Sequence, residues 1–462
     1  MSDTATVTVA DDAILRSLHP DCPDWERLGP TARDAALRAA ATAATLEADQ
    51  RDEQWSRGFN RRTFLKGGLG VGVAALGAQL VTSRVSYAAA DVPTTGTLVV
   101  VFLRGGMDGL SLLVPAADDA ALAAARPGVA VRAASALPFD TARGFGLHPA
   151  LAPLQPLISA GKVAAVPAVS TPDLSRSHFQ AQDCLERGSS SRLTSGWLDR
   201  VLAVSGPGTT FRSVAVGGLL PRSMMGSSRS IAMYDLQSIA LDGVDDVPAT
   251  KSALMALYTG VDHPIATQTG LAIGALNTMA QVRATPPAGP ATVYPKGNLG
   301  DALASLATLI KAQVGVRVAC IDVGGWDTHT GMGTVDAGDM RRHLGDLATA
   351  LAAFTSDLGT ALDSTTIVAM SEFGRRVEQN ASGGTDHGHG GAVLVLGGGV
   401  SAGVHGTWLG LDPTLLDQGD VPGWNDYRDV LSDVVTKRLG LSTGSMGTVF
   451  PGWTPTPVGI MA

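Results

Sequence analysis

Residues 382–391 read SGGTDHGHGG, which sets Asp386, His387 and His389 among five glycines and two hydroxyl side chains. Carboxylates and imidazoles are metal ligands, and glycines let a backbone turn tightly around whatever is bound. A second set of this kind is GGWDTHT, with Asp327 and His329. Residues two apart in an extended segment point the same way, so Asp327 goes with His329 and His387 with His389. Asp386 and His387 are adjacent and aim oppositely. Adjacent ligands suit two different ions of a close pair, roughly 3.5–4 Å apart. Mixed imidazole and carboxylate donors favour Zn, Mn or Fe over Ca or Mg. The alternative is a polar loop hydrogen-bonded internally.

Other polar residues recur after apolar runs. RGGMDGLS brings Arg104, Asp108 and Ser111, STPDLSRSH brings Ser175, Ser177 and His178, SEFGRR brings Glu372 and Arg375, and His405 follows AVLVLGGG. Each has a plainer reading. Asp108 can hold the amides of a turn, Ser175 can be a helix N-cap, and Arg104 and Arg375 can pair with nearby carboxylates. His343 reads as solvated on a helix; His19, His148 and His263 read as structural or incidental.

The elements that must position these residues are an alternation of strands and helices. TLVVVFLRGG (97–106) is a continuous apolar run, as a central parallel strand buried on both faces should be. Further strands are predicted in KVAAVPAVS, FRSVAVGG, VRVACIDVGG, TTIVAMSEFG and GGAVLVLGGG. Helices are predicted in HPALAPLQPLISAG (148–161), SRSHFQAQDCLERG, GLAIGALNTMAQVRA, DALASLATLIKAQ, GDMRRHLGDLATALAAFTSDLG and YRDVLSDVVTKRLGL. The expectation is an α/β fold: a mostly parallel central sheet with helices on both faces. In such sheets ligands lie outside the carboxyl ends of the strands, which is where the polar residues fall. The Gly/Pro/Ser-rich stretch 217–298 reads as an insertion or cap.

The chain has 462 residues, 45% hydrophobic and 16% charged, with a net charge of -8. An acidic chain lacks the basic face that nucleic acid requires. Near the N-terminus, NRRTFLKGGLGVGVAALGAQLVTSRVSYAAAD joins Arg61 and Arg62 to an apolar run and small residues at 88–90. The run, Gly67 to Val81, is about 15 residues, short of the roughly 20 that cross a membrane, so no permanent span is expected. The pattern resembles a twin-arginine export signal (60–90) with a cleavage site. It implies contact with the twin-arginine export machinery and a secreted, periplasmic or cell-surface protein. Residues 1–59 read as an Ala-rich extension and 91–462 as the domain proper. Cys184 and Cys320 remain after the signal, and either a disulfide or two buried thiols fits.

LRGGMDGLSLLVP, SRSHFQAQD, GGWDTHT, SEFGRR and GTDHGHGGAVLVLGGG, in this order after a twin-arginine signal and before VFPG (449–452), resemble the bacterial exported proteins called domain of unknown function 1501. The resemblance covers residues 97–452. That family is similar to the alkaline-phosphatase and sulfatase superfamily, whose members hydrolyse or transfer phosphate and sulfate esters with paired metal ions. The resemblance implies that Asp108 is a first metal-binding carboxylate and that Ser175 or Ser177 is a nucleophile. It implies that Asp327 with His329, and Asp386 with His387, are metal ligands, with His389 or His405 as a further one. Asp322 is a substitute for Asp327, because the superfamily's Asp and His usually stand further apart. Arg104 or Arg375 would stabilise charge on the transferring group. The implied substrate is a small anionic ester or a surface polymer carrying one. The alternative is an envelope protein that binds a metal, an anion or a partner without turnover.

Overall fold

The computed structural model describes residues 96–241, 247–258, 264–284 and 292–462. The Ala-rich extension and the twin-arginine segment lie outside the described residues.

The strands in chain order are β1 (Thr97–Leu103), β2 (Leu113–Pro115), β3 (Leu137–Asp140), β4 (Phe145–Leu147), β5 (Val163–Ser170), β6 (Ser213–Val216), β7 (Ile231–Met233), β8 (Val318–Val323), β9 (Thr365–Met370), β10 (Arg375–Gln379), β11 (Thr385–His387), β12 (Gly391–Gly397), β13 (Gly403–Val404) and β14 (Asn425–Asp426). The helices of eight or more residues are α1 (His178–Arg187), α2 (Trp197–Val204), α3 (Val247–Tyr258), α4 (Pro264–Ala284), α5 (Asn298–Lys311), α6 (Asp339–Leu358) and α7 (Tyr427–Leu439).

A nine-stranded sheet runs β13-β5-β12-β9-β1-β8-β6-β7, with β14 also on β5. Pairing is parallel from β9 through β1, β8 and β6 to β7, and β12 alone runs antiparallel, to both β5 and β9. The expected mostly parallel α/β architecture is present, with the GAVLVLG strand reversed.

All seven residues of β1 are buried, and their alternation divides the core. Val99, Val101 and Leu103 face a layer that includes α5 and α6. Leu98, Val100 and Phe102 face the layer of α2 and α7. Each such aliphatic side chain contributes about 1.5–3 kcal/mol on burial, so the central strands are rigid supports for the loops at their ends.

The segment 148–161 differs from the expected helix. Pro149, Pro153 and Pro156 cannot donate to a helical ladder, and the chain forms a 3₁₀ turn over Pro149–Leu154 and a short helix over Gln155–Ser159. The stretch read as an insertion supplies the edge strand β7, the helices α3 and α4, and a parallel extension of the main sheet. Cys184 and Cys320 are both free and buried. Among the described residues no helix is long and apolar enough to cross a membrane.

Candidate metal centre

β8 ends at Val323, and the chain then crosses the carboxyl end of β1. Gly105, with φ +123°, permits this crossing: a Cβ there would lie 2.6 Å from the Asp327 backbone nitrogen. Arg375 begins β10 opposite His387 of β11. Gly388 keeps that hairpin close, because a Cβ on it would meet the Arg375 backbone at 2.5 Å. His178 is the first residue of α1 and follows the loop leaving β5.

Three imidazoles from these separate segments converge on one oxygen. Asp327 Oδ1 lies 3.1 Å from His329 Nε2, 3.2 Å from His387 Nε2 and 3.5 Å from His178 Nε2. His329 Nε2 and His387 Nε2 are 2.9 Å apart. Donor atoms of His178, Asp327 and His387 all lie within 4.8 Å of one another, the one such group of three found among the described residues.

The other ring nitrogens fix the tautomers. His178 Nδ1 is 2.7 Å from Glu372 Oε1, His387 Nδ1 is 2.8 Å from the Arg176 carbonyl, and His329 Nδ1 is 2.9 Å from Asp386 Oδ1. A carbonyl or an ionised carboxylate only accepts, so each Nδ1 carries the hydrogen. In the neutral rings each Nε2 then presents a lone pair toward Asp327. Three lone pairs and a carboxylate oxygen pointing at one place repel unless a cation lies among them. His178 Nε2 is buried with no hydrogen-bond partner, an orphan of the kind a missing ligand leaves.

The donor set fits a metal ion. Tetrahedral Zn–N bonds of roughly 2.0–2.1 Å place neighbouring ligand atoms about 3.3 Å apart; the three distances to Asp327 Oδ1 and the His329–His387 distance are 2.9–3.5 Å, while His178 and His387 lie within 4.8 Å of one another. Imidazoles anchored through the second nitrogen by carboxylates and a carbonyl are the usual support of metal-ligating histidines. Asp327 and His329 are 47% and 39% exposed, so one side of the group is open to solvent. The ring of Phe373 covers His178 and His387 from the protein side, with centroids 4.8 and 5.0 Å away.

Burial alone would raise the Asp327 pKa, but Arg375, 2.5 Å away, together with His387 and His329, pulls it down to about 2. Glu372 is fully buried, yet His178, Gln182 and Ser371 hold it at about 2. Its charge raises the basicity of His178 in return.

The structure does not bring Asp108 into this group. Asp108 is fully buried; its two oxygens take Arg126 Nη1 and Nη2 at 2.7 and 2.8 Å, and Oδ2 also caps the short helix Gly109–Leu112 through Ser111 N. Asp108 is thus engaged in a buried ion pair and a helix cap away from the three imidazoles, as the turn reading of GMDG has it. Asp386 Oδ1 accepts from His329 Nδ1 and Asn380 Nδ2, at 2.9 and 3.0 Å. His389 Nε2 turns to the Thr171 carbonyl and His405 Nε2 to the Ser401 carbonyl.

Neither arginine is free for an anion. Arg104 pairs with Glu186 and Asp322, which also commits Asp322. Arg375 is buried and bonds Asp327 and the carbonyls of Gly105, Gly106, Trp326 and Thr385.

The Ser175 hydroxyl contacts Asp173 Oδ1 at 2.5 Å and accepts from Ser177 N at 3.1 Å. Ser177 is the N-cap of α1, but its hydroxyl makes no cap bond. His178 and Glu372 stood among the sequence candidates, but nothing in the spacing paired residues 194 apart. Gln182, Asn380 and the Arg176 carbonyl carried no signal.

No curated protein matches the chain. Among solved structures it is similar to the PsFucS1 sulfatase from Pseudoalteromonas sp., at 14% identity and TM-score 0.32 over 79% of this chain and 73% of that one. It is also similar to the alkaline phosphatase of the Antarctic bacterium TAB5, at 10% identity and TM-score 0.26 over 68% and 95%. A third is the lipoteichoic acid synthase LtaP from Listeria monocytogenes, at 10% identity and TM-score 0.29 over 80% and 76%. The family described as "Protein of unknown function (DUF1501)" matches residues 166–418, more than half of the chain, a span that holds His178, Asp327, His329, Glu372 and His387 but not the GMDG turn. The protein therefore belongs to the DUF1501 family.

Proposed function

We propose that the protein is a metal-dependent hydrolase of phosphate or sulfate esters, with one divalent ion held by His178, His329, His387 and Asp327. The observation that supports it is the convergence of three Nε2 atoms on Asp327 Oδ1, each ring anchored through Nδ1. Zn, Mn or Fe suits this donor set. The reading uses one ion in place of the expected pair, because Asp386 supports His329 and Asp108 is committed to Arg126. A bound divalent ion supplies Lewis acidity toward an ester oxygen and acidifies a hydroxyl beside it.

The chain's own part begins with Ser177. Its hydroxyl is uncommitted, stands one residue before His178, and opens a ten-residue helix whose N-terminus favours negative charge. In-line attack forms a bond from Ser177 Oγ to phosphorus or sulfur and breaks the bond to the leaving oxygen. The serine proton passes to solvent, the leaving oxygen gains one, and water later releases the acid. Ser175 would instead shape the loop through Asp173.

A second reading, metal binding without turnover, is favoured by the commitment of Arg104 and Arg375 to protein partners. Ion content of untagged protein, with turnover of 4-nitrophenyl phosphate and 4-nitrophenyl sulfate, separates the two. Hydrolysis lost in Ser177→Ala and kept in Ser175→Ala supports the enzyme. Stoichiometric metal with no turnover selects the binding protein, and a chain that rejects Zn, Mn and Fe overturns both.

Export is part of the same proposal. Arg61→Lys with Arg62→Lys would retain the protein in the cytoplasm, as read by fractionation; unchanged export would remove that part.

A further inference from the structure

The loop that leaves β5 carries Ser175 and Ser177 and leads into His178, and its internal bonds are all short-range. Asp173 N donates to Thr171 Oγ1, Ser175 N to Asp173 Oδ1 and Ser177 N to Ser175 Oγ. Leu174 and Ser175 are exposed. Such bonds shape a turn, but they do not fix where it stands relative to the β10–β11 hairpin that carries His387.

Arg176 makes that connection. Its φ is +55°, in the left-handed region that a residue other than glycine enters at a cost and keeps only where its surroundings hold it. Two contacts do so. Its carbonyl accepts from His387 Nδ1 at 2.8 Å. Its guanidinium gives both Nε, at 2.8 Å, and Nη2, at 2.5 Å, to Asp420 Oδ2. Asp420 is 2% exposed, and its Oδ1 has no hydrogen-bond partner, the Nε of Arg376 standing off at 3.7 Å. Among the described residues, Arg176 is the side chain that hydrogen-bonds this buried carboxylate.

The segment around Asp420 is in turn tied to the hairpin. The Gly419 carbonyl accepts from Val377 N of β10, and the Val421 carbonyl accepts from Gly390 N, just past His387. The contacts close a ring from His387 through the Arg176 carbonyl and guanidinium to Asp420 and back to the hairpin. His178 follows Arg176 by two residues, and its ring centroid lies 4.3 Å from that of His387. A shift of the loop would therefore separate two candidate ligands that come from different elements.

We propose that Arg176 is a positioning residue for the metal centre. Clamped to Asp420 in a left-handed conformation, it sets its carbonyl on His387 Nδ1 and holds His178 against His387. The consequence for a bound ion rests on the metal reading above; the effect on His387 does not. Lysine is no substitute, since two donors of one planar fork meet a single oxygen.

Arg176→Gly keeps the left-handed backbone without strain and removes the clamp. Zn affinity of the full chain, measured against a competing chelator, should fall about 10–100-fold, the usual weight of such support. The variant leaves Asp420 buried and unpaired, so the companion is Arg176→Gly with Asp420→Asn, which removes that charge. The double variant should regain melting temperature without regaining Zn affinity. Recovery of both would mean that the clamp serves stability alone and overturns the proposal, as does wild-type affinity in Arg176→Gly. NMR of isotopically labelled histidines in the metal-free chain reads the same contact with no ion present. The His387 Nδ1–H signal, assigned by its absence in His387→Ala, should exchange slowly in wild type and faster in both clamp variants. Unchanged exchange overturns the proposal. A wild-type chain that binds no Zn defeats the metal reading, and the exchange comparison then decides the positioning of His387.

Discussion

Glu372 Oε1 lies 2.7 Å from His178 Nδ1, across 194 residues of sequence, and the same oxygen accepts from Gly105 N and Gln182 Nε2. One buried carboxylate thus fixes the turn after β1, the first helix after β5 and the orientation of a candidate ligand.

Glu372→Gln keeps the shape but removes the charge that sets the His178 tautomer. Support of this kind is worth about 10–100-fold in metal affinity, so Zn affinity measured against a competing chelator should fall by that order. Glu372→Ala should also lower the melting temperature, since Gly105 N and Gln182 lose a buried acceptor. Unchanged Zn affinity in Glu372→Gln would show that His178 is not a ligand.

Asp108 gives the opposite pattern. Burial would raise its pKa, but Arg126 and Ser111 hold its carboxyl below the ordinary range, and the pair has almost no exposure to solvent. Removing one partner of such a pair typically costs about 3–5 kcal/mol, because the other charge stays buried and unpaired. Asp108→Ala should therefore unfold at markedly lower denaturant while bound metal per folded chain stays at the wild-type value. Loss of metal without loss of stability would return Asp108 to the site.

The number of ions can be counted. Asp386 accepts from His329 Nδ1, while His387 Nε2 lies 2.9 Å from His329 Nε2, two lone pairs that an ion between them would hold together. One equivalent of metal is therefore expected, abolished in Asp327→Ala and in His387→Ala. In Asp386→Ala the ion should remain but bind about 10–100-fold more weakly. Two equivalents in wild type, one of them lost in Asp386→Ala, would restore the paired-ion arrangement.

The strands were legible because burial on both faces leaves continuous apolar runs, as in β1 and β5. Direction was not, since GAVLVLG reads the same whether its neighbours are parallel or antiparallel, and β12 runs against both. Within the candidate site, Asp327, His329 and His387 drew notice because DTH and TDH place ligand types together locally, and the structure brings these three side chains together. His178 and Glu372 are joined only by the fold. Asp108 was misplaced for a related reason: its partner Arg126 is 18 residues away in ARPGVAV, a stretch with no pattern of its own. Asp386 and His387 aim oppositely, as their adjacency requires, and come to the two ring nitrogens of His329.

His148 supplies a pH dependence away from the metal centre. Burial, and then the charge of Arg341, lowers its pKa to about 4, against the weaker opposing pull of Asp108. Its Nδ1 accepts from Ala150 N at 3.0 Å and so caps the turn Pro149–Leu154; protonation there would break that bond. The folded protein therefore binds fewer protons at this site than the unfolded chain, and stability rises with pH. The contribution is complete above the unfolded value near 6.5 and is lost as pH falls from there to about 4, by up to roughly 3 kcal/mol. Asn caps in the same way without titrating, so His148→Asn should lose less stability than wild type between pH 6.5 and 4. Urea melts across that window measure the difference between the two curves; parallel curves would mean that His148 is protonated as readily folded as unfolded.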